Sequence, residues 1–152
     1  MSVSVGEKAP DFTLTNQHGE EVTLSSFQGK KPVVLVFYPL SFSGTCTGEL
    51  CEIRDNLTLF DSADVALLAI SVDSKFTQAK FAEDQGYDFD LLADFWPHGA
   101  VSQLYDVFLE EKGHGTRGTF VINIDGELVA KFITSPGQAR DLNSYKKALE
   151  LL

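Results

Sequence analysis

The sequence is poor in cysteine, in basic residues and in long apolar runs. Only two of its 152 residues are cysteine, which excludes the disulfide frameworks that hold small secreted domains together. The net charge of −10 argues against nucleic acid and anionic membranes as partners. No apolar run reaches the roughly 18 residues that a transmembrane helix needs, so no membrane span is predicted.

Residues 1–8 also lack the basic start and apolar core of a secretory signal peptide, which predicts a cytoplasmic protein. In that compartment, two cysteines indicate catalysis or redox sensing more than a structural bridge. The chain is long enough to fill one core and shows no internal repeat or linker. We therefore expect a single domain over residues 1–152.

Both cysteines fall in one short stretch, between a predicted strand and a predicted helix. The apolar run 33–38 is typical of a buried strand, and apolar residues recur at helical spacing over 47–60. Cys46 lies where the strand has ended and the helix begins. Free N–H groups and the helix dipole at such a position favour the thiolate, which is the nucleophilic form of cysteine.

Strand and helix patterns alternate along most of the remaining chain. Further strands are predicted over 65–72, 118–124 and 127–133, and further helices over 76–85, 99–104 and 141–151. The last two strands flank an Asp-Gly hairpin turn. This order predicts an α/β fold with a mixed sheet flanked by helices.

A proline, a hydroxyl residue and a cysteine stand at fixed spacing as Pro39, Ser43 and Cys46. They match the Pro-x-x-x-Thr/Ser-x-x-Cys pattern of the peroxiredoxins, and the sequence resembles that family over nearly its whole length. Residues 94–101 and 117–121 are similar to the alkyl hydroperoxide reductase E (AhpE) subgroup of actinobacteria. The resemblance implies a thioredoxin-like sandwich, a homodimer and no cofactor.

The resemblance also implies a thiol peroxidase that reduces hydrogen peroxide, organic hydroperoxides and peroxynitrite through Cys46. Arg117 is then the cation that acidifies the thiol and contacts the peroxide, because a guanidinium stays charged and has several fixed donors. Ser43 hydrogen-bonds the peroxide, Pro39 shields the thiol from water, and Glu49 orients Arg117. The implied reductant is a thiol such as thioredoxin, or a mycoredoxin with mycothiol.

Cys51 departs from the AhpE subgroup and matches the second cysteine of the bacterioferritin-comigratory (PrxQ) group. That similarity favours a resolving role, in which Cys51 forms a disulfide with Cys46. Five helical residues give about 7.5 Å of rise and about 140° of rotation, whereas disulfide Cα atoms lie within roughly 7 Å. The helix must therefore unwind for this disulfide to form. The alternative is that Cys51 only packs beside its apolar neighbours.

Other interpretations of the two cysteines are open. Either cysteine can serve as a small buried apolar residue. Two thiolates fall short of the four ligands of structural zinc, so no metal is predicted. A redox sensor or thiol-exchange module that relays oxidation to a partner would use the same Cys46 with slow turnover. A non-catalytic interaction protein would not need Arg117 or Ser43.

Overall fold

A seven-stranded sheet forms the centre of the computed structural model, which describes residues 3–152 apart from the side chain of Cys46. The strands are β1 (Thr13–Asn16), β2 (Glu21–Thr23), β3 (Val33–Phe37), β4 (Ala66–Ser71), β5 (Asp90–Ala93), β6 (Phe108–Leu109), β7 (His114–Gly115), β8 (Arg117–Ile122) and β9 (Leu128–Thr134). Their order in the sheet is β2-β1-β5-β4-β3-β8-β9, while β6 and β7 form a separate hairpin. β3, β4 and β5 are parallel and the other pairs are antiparallel.

Helices cover both faces of this sheet. They are α1 (Gly44–Asp55), α2 (Leu57–Ser62), α3 (Lys75–Gln85), α4 (Ala100–Leu104) and α5 (Leu142–Leu149), with one 3-10 turn over Leu24–Phe27. The predicted mixed sheet flanked by helices is thus confirmed. Within the described part of the chain, none of these helices has the length and apolar character required to cross a membrane.

Strand β3 belongs to two cores at once. All five of its residues are buried, because side chains alternate between the two faces and each face is covered. Val34 and Val36 pack in the cluster that includes residues of α1, α2, α3 and α5. Val33, Leu35 and Phe37 pack in the cluster that includes α4 and the N-terminal segment. A fully apolar strand in the middle of the sheet therefore holds the loop that precedes α1.

The helix predicted over 47–60 begins earlier and is divided. It starts at Gly44, and Asn56 interrupts it with a non-helical φ of −125° and ψ of 28°. The first turn escaped the prediction because Gly44, Thr45 and Cys46 carry no apolar periodicity. Strand β5 and the β6–β7 hairpin were also not predicted.

Segment 94–101, which is similar to the AhpE subgroup, forms the entry into α4, and the structure explains two of its residues. The buried Asp94 carboxylate accepts hydrogen bonds from the backbone N–H groups of Val101 (3.0 Å) and Ser102 (2.8 Å), at the start of α4. Gly99 has a φ of +71°, and a Cβ there would lie 2.3 Å from the Phe108 ring. These residues fix the entry into α4.

Candidate active site

The loop between β3 and α1 is tied to the end of the neighbouring strand. Pro39 is buried two residues after the end of β3. The Ser41 N–H donates to the Asp73 carboxylate (2.8 Å), and the Ser41 and Tyr38 hydroxyls lie 3.0 Å apart. Asp73 also accepts from the Ser71 hydroxyl at the end of β4 (2.7 Å). Since β3 and β4 are parallel neighbours, these bonds fix where α1 begins.

Ser43 is the N-cap of α1 and has extended backbone angles. Its carbonyl accepts from the Thr47 N–H (2.9 Å) and the Thr47 hydroxyl (2.8 Å). Its own hydroxyl makes no capping bond to the described part of the helix. Cys46 is the third residue of α1, in the turn where free N–H groups create a positive potential. The side chain of Cys46 lies outside the described structure.

Arg117 lies beside the end of β3, on the opposite side from β4. It is the first residue of β8, and the pairing of Val36 with Thr119 carries it past the last residue of β3. The side chain is buried, with 1% exposure. Its Nη1 donates to Glu49 Oε1 (3.0 Å) and its Nε donates to the Pro136 carbonyl (2.8 Å). Glu49 therefore joins α1 to the sheet, one helical turn after Cys46.

A second arginine, which the sequence analysis missed, binds the same carboxylate. Arg140 is buried just before α5, and both its backbone N–H (2.6 Å) and its Nε (2.9 Å) donate to Glu49 Oε2. Its Nη2 donates to Glu49 Oε1 at 2.5 Å. Its Nη1 donates to the Gly118 carbonyl (2.9 Å) and the Thr119 hydroxyl (3.1 Å). The sequence does not mark Arg140, because a single arginine in a Gly- and Pro-containing loop is usually exposed.

The two arginines set the charge of Glu49. Burial alone would raise the pKa of this carboxyl, but the hydrogen bonds and charge of Arg140, followed by the charge of Arg117, lower it below its ordinary value. Glu49 is therefore ionised at neutral pH. Two guanidiniums against one carboxylate leave a net positive charge buried beneath the first turns of α1. Such a charge favours a nearby thiolate.

Cys51 lies further along α1 and faces a different part of the molecule. It is a free thiol, half-buried against the core, 3.5 Å from Gln85 Oε1 and 3.4 Å from the Tyr87 hydroxyl. Because α1 is an intact helix, its rotation turns Cys51 away from Arg117 and Arg140. No group of three or more His, Cys, Asp and Glu side chains suited to a metal occurs among the residues described.

Sequence comparisons agree with this architecture. The AhpC/TSA family profile matches residues 5–131. Alkyl hydroperoxide reductase E of Mycobacterium tuberculosis is 47% identical over 150 residues, which cover 99% of this chain and 98% of the relative. The chain belongs to the AhpC/TSA family of peroxiredoxins. Peroxiredoxin Bcp of Bacillus subtilis is 35% identical over 138 residues, covering 87% of this chain and 86% of the relative.

Solved structures place this peroxiredoxin in the same fold. The reduced 2-Cys peroxiredoxin of Plasmodium vivax has a TM-score of 0.86 and 27% identity, covering 96% of this chain and 80% of its own. The thioredoxin-like fold is thereby confirmed. The predicted function is confirmed at the level of the family: this peroxiredoxin is a thiol-dependent peroxidase, with peroxides as substrates and a thiol as reductant.

Proposed function

We propose that Cys46 is the peroxidatic cysteine and that it reduces hydrogen peroxide, organic hydroperoxides and peroxynitrite. The observation that carries this proposal is the buried Arg117, fixed to Glu49 one helical turn after Cys46. A thiolate at that helix start benefits from the dipole and from the buried positive charge. Similarity to alkyl hydroperoxide reductase E supports organic hydroperoxides as substrates.

In the proposed reaction, the Cys46 thiolate attacks one peroxide oxygen and the O–O bond breaks. The other oxygen leaves as hydroxide or alkoxide and takes up a proton to become water or an alcohol. Cys46 becomes a sulfenic acid. Arg117 stabilises the charge that develops on the leaving oxygen, and the Ser43 hydroxyl, not used as a helix cap, hydrogen-bonds the peroxide. Pro39 limits the access of water.

Glu49 serves as an orienting residue in this proposal. Its carboxylate is saturated by four hydrogen bonds from the two arginines, so it fixes the guanidinium of Arg117 in one geometry. An ionised carboxylate with a lowered pKa is a poor proton donor at neutral pH. Orientation therefore suits Glu49 better than proton transfer.

Cys51 is proposed as the resolving cysteine, which condenses with the sulfenic acid to form a disulfide. α1 runs through both positions, so the helix must open before the two sulfurs can meet. The similarity to peroxiredoxin Bcp supports this role. A dithiol such as thioredoxin, or a mycoredoxin with mycothiol, is the proposed reductant. A homodimer and a cytoplasmic location complete the proposal and rest on the sequence alone.

Intact mass spectrometry after one equivalent of hydrogen peroxide tests both cysteines. We expect the protein to lose two hydrogens, as an intramolecular disulfide requires, and Cys46→Ser to show no change in mass. A stable gain of one oxygen in the wild type would leave Cys46 as the nucleophile and remove the resolving role. If peroxide oxidised this protein slowly, and a partner protein mixed with it became fully oxidised, the redox-sensor alternative would be favoured.

A further inference from the structure

The thiol of Cys51 is held by the segment that follows α3. Tyr87 and Gln85 flank the helix-ending Gly86, which has a φ of +70°, and the Tyr87 N–H donates to the Ala82 carbonyl (3.0 Å). This helix end fixes the backbone that presents both side chains to Cys51. The Tyr87 ring is 5% exposed and packs edge-on against Phe81, at 5.1 Å between ring centres.

The Tyr87 hydroxyl also binds α1 one turn before Cys51. It donates to the Thr47 carbonyl (3.2 Å), which is the acceptor that an α-helix provides for the N–H of Cys51. Because its hydrogen is used there, the phenol oxygen can only accept from the Cys51 thiol, whose single hydrogen is shared with Gln85 Oε1. Burial and the neighbouring Cys51 raise the pKa of Tyr87, so the phenol stays protonated at neutral pH. One hydroxyl therefore holds both Thr47 and Cys51.

Those two residues lie in the part of α1 that a disulfide must disrupt. Cys51 lies five positions after Cys46, and the intact helix keeps their Cα atoms further apart than the roughly 7 Å that a disulfide allows. Thr47 is inside that interval. Unwinding it breaks the bond from Tyr87 to the Thr47 carbonyl, and moving Cys51 breaks the contact with its thiol.

The same tyrosine is linked by aromatic packing to the loop before Cys46. Phe42 precedes the N-cap, has a left-handed φ of +70° and is 49% exposed. Its ring packs against Phe81 at 5.0 Å, and Phe81 packs against Tyr87. A left-handed phenylalanine is uncommon and is maintained only by surrounding contacts. A change in this loop can therefore reach Tyr87 through one shared ring.

We propose that Tyr87 is a positioning residue that holds Cys51 and the first turns of α1 in the intact helix, and so sets the rate of disulfide formation once Cys46 is oxidised. The proposal rests on the resolving role proposed for Cys51. In the resolving step, the Cys51 sulfur bonds to the Cys46 sulfur and the S–O bond of the sulfenic acid breaks. The hydroxyl leaves with the thiol proton as water. The peroxide has already supplied the oxidising equivalents.

Tyr87→Phe tests this proposal, because it removes the hydroxyl and keeps the ring. Both proteins are mixed with one equivalent of hydrogen peroxide, and sulfenic acid and disulfide are quantified over time by quenched intact mass spectrometry. We expect disulfide formation to be about five-fold faster in the variant, because that is the change in rate expected from the loss of one ordinary hydrogen bond. The rate of Cys46 oxidation should be unchanged, and excess peroxide should give correspondingly less sulfinic acid.

Tyr105→Phe is the matched control. Its hydroxyl also donates to a backbone carbonyl, that of Pro10, but Tyr105 belongs to the core on the other face of the sheet. Hydrogen exchange of the amides over 47–51 in the reduced proteins provides a second measurement. It should be faster in Tyr87→Phe and unchanged in Tyr105→Phe.

The outcomes separate this proposal from the function on which it rests. If wild-type protein forms the disulfide and Tyr87→Phe forms it no faster, Tyr87 does not restrain Cys51, while the resolving role stands. Equal acceleration in Tyr105→Phe would indicate general loosening and would also overturn the proposal. If wild-type protein stops at sulfenic acid, both the resolving role and the role of Tyr87 fail.

Discussion

Replacing Glu49 by glutamine should be among the most destabilising single changes available in this peroxiredoxin. The carboxylate is 4% exposed and accepts four hydrogen bonds from Arg117 and Arg140. Glutamine keeps the shape, but it removes the negative charge and turns an NH₂ group towards arginine donors. Breaking a buried ionic network by removing one partner costs about 3–5 kcal/mol. The whole free energy of unfolding of such a protein is about 5–15 kcal/mol.

Urea unfolding at neutral pH, followed by circular dichroism, measures the loss. Glu52→Gln is the matched control, since Glu52 is exposed on the same helix and should change stability by less than about 0.5 kcal/mol. The peroxidase rate of Glu49→Gln should also fall, because Arg117 loses one of its fixed partners. A loss of stability below about 1 kcal/mol, comparable to the control, would show that the network does not stabilise the fold.

The effect has a defined pH dependence. The pKa of Glu49 is lower in the folded protein than its ordinary value of 4.5. The stabilisation from its charge is therefore complete above about pH 4.5 and is lost as the pH falls through the lowered pKa. The stability difference between wild type and Glu49→Gln should narrow over that acidic range. A constant difference down to the acid-unfolding limit would contradict the ionised state of Glu49.

Three further substitutions test the proposed chemistry. Cys46→Ser should abolish peroxide consumption with an unchanged circular dichroism spectrum, and residual turnover above a few per cent would reject Cys46 as the nucleophile. Arg117→Lys should lower the peroxidase rate about a hundred-fold, and more than it lowers the thiolate fraction read from ultraviolet absorbance, because lysine lacks the planar fork. A near-normal rate would remove Arg117 from the reaction. Cys51→Ala should still react once with peroxide but proceed to sulfinic acid, and turnover equal to wild type would leave Cys51 as a packing residue.

The sequence predicted the central fold well because its strands are strongly patterned. β3 and β4 are buried on both faces and appear as apolar runs, and the Asp125-Gly126 turn marked the hairpin that joins β8 to β9. β5 was missed because only two of its four residues, Leu91 and Leu92, are buried. A two-residue apolar core is too short to stand out from a loop.

The candidate site was predicted where local spacing marks it, and at Arg117, where the resemblance of residues 117–121 marks it. Pro39, Ser43 and Cys46 occur together in one motif, and Glu49 lies one turn further along the same helix. Arg140 has no such neighbourhood, because its burial depends on tertiary contacts with α1 and β8. Tyr87 was missed for the same reason, since its contact with Cys51 joins residues 36 positions apart.

The contacts of Glu49 also limit how early during synthesis this part of the fold can form. Arg117 and Arg140 follow Glu49 in the chain by 68 and 91 residues. At a synthesis rate of about 5–20 residues per second, Arg140 is added roughly 5–20 seconds after Glu49. Until first Arg117 and then Arg140 are added, the network around Glu49 is incomplete in the nascent chain. The contacts that join α1 to β8 and to the loop before α5 therefore cannot form until these later segments have been made.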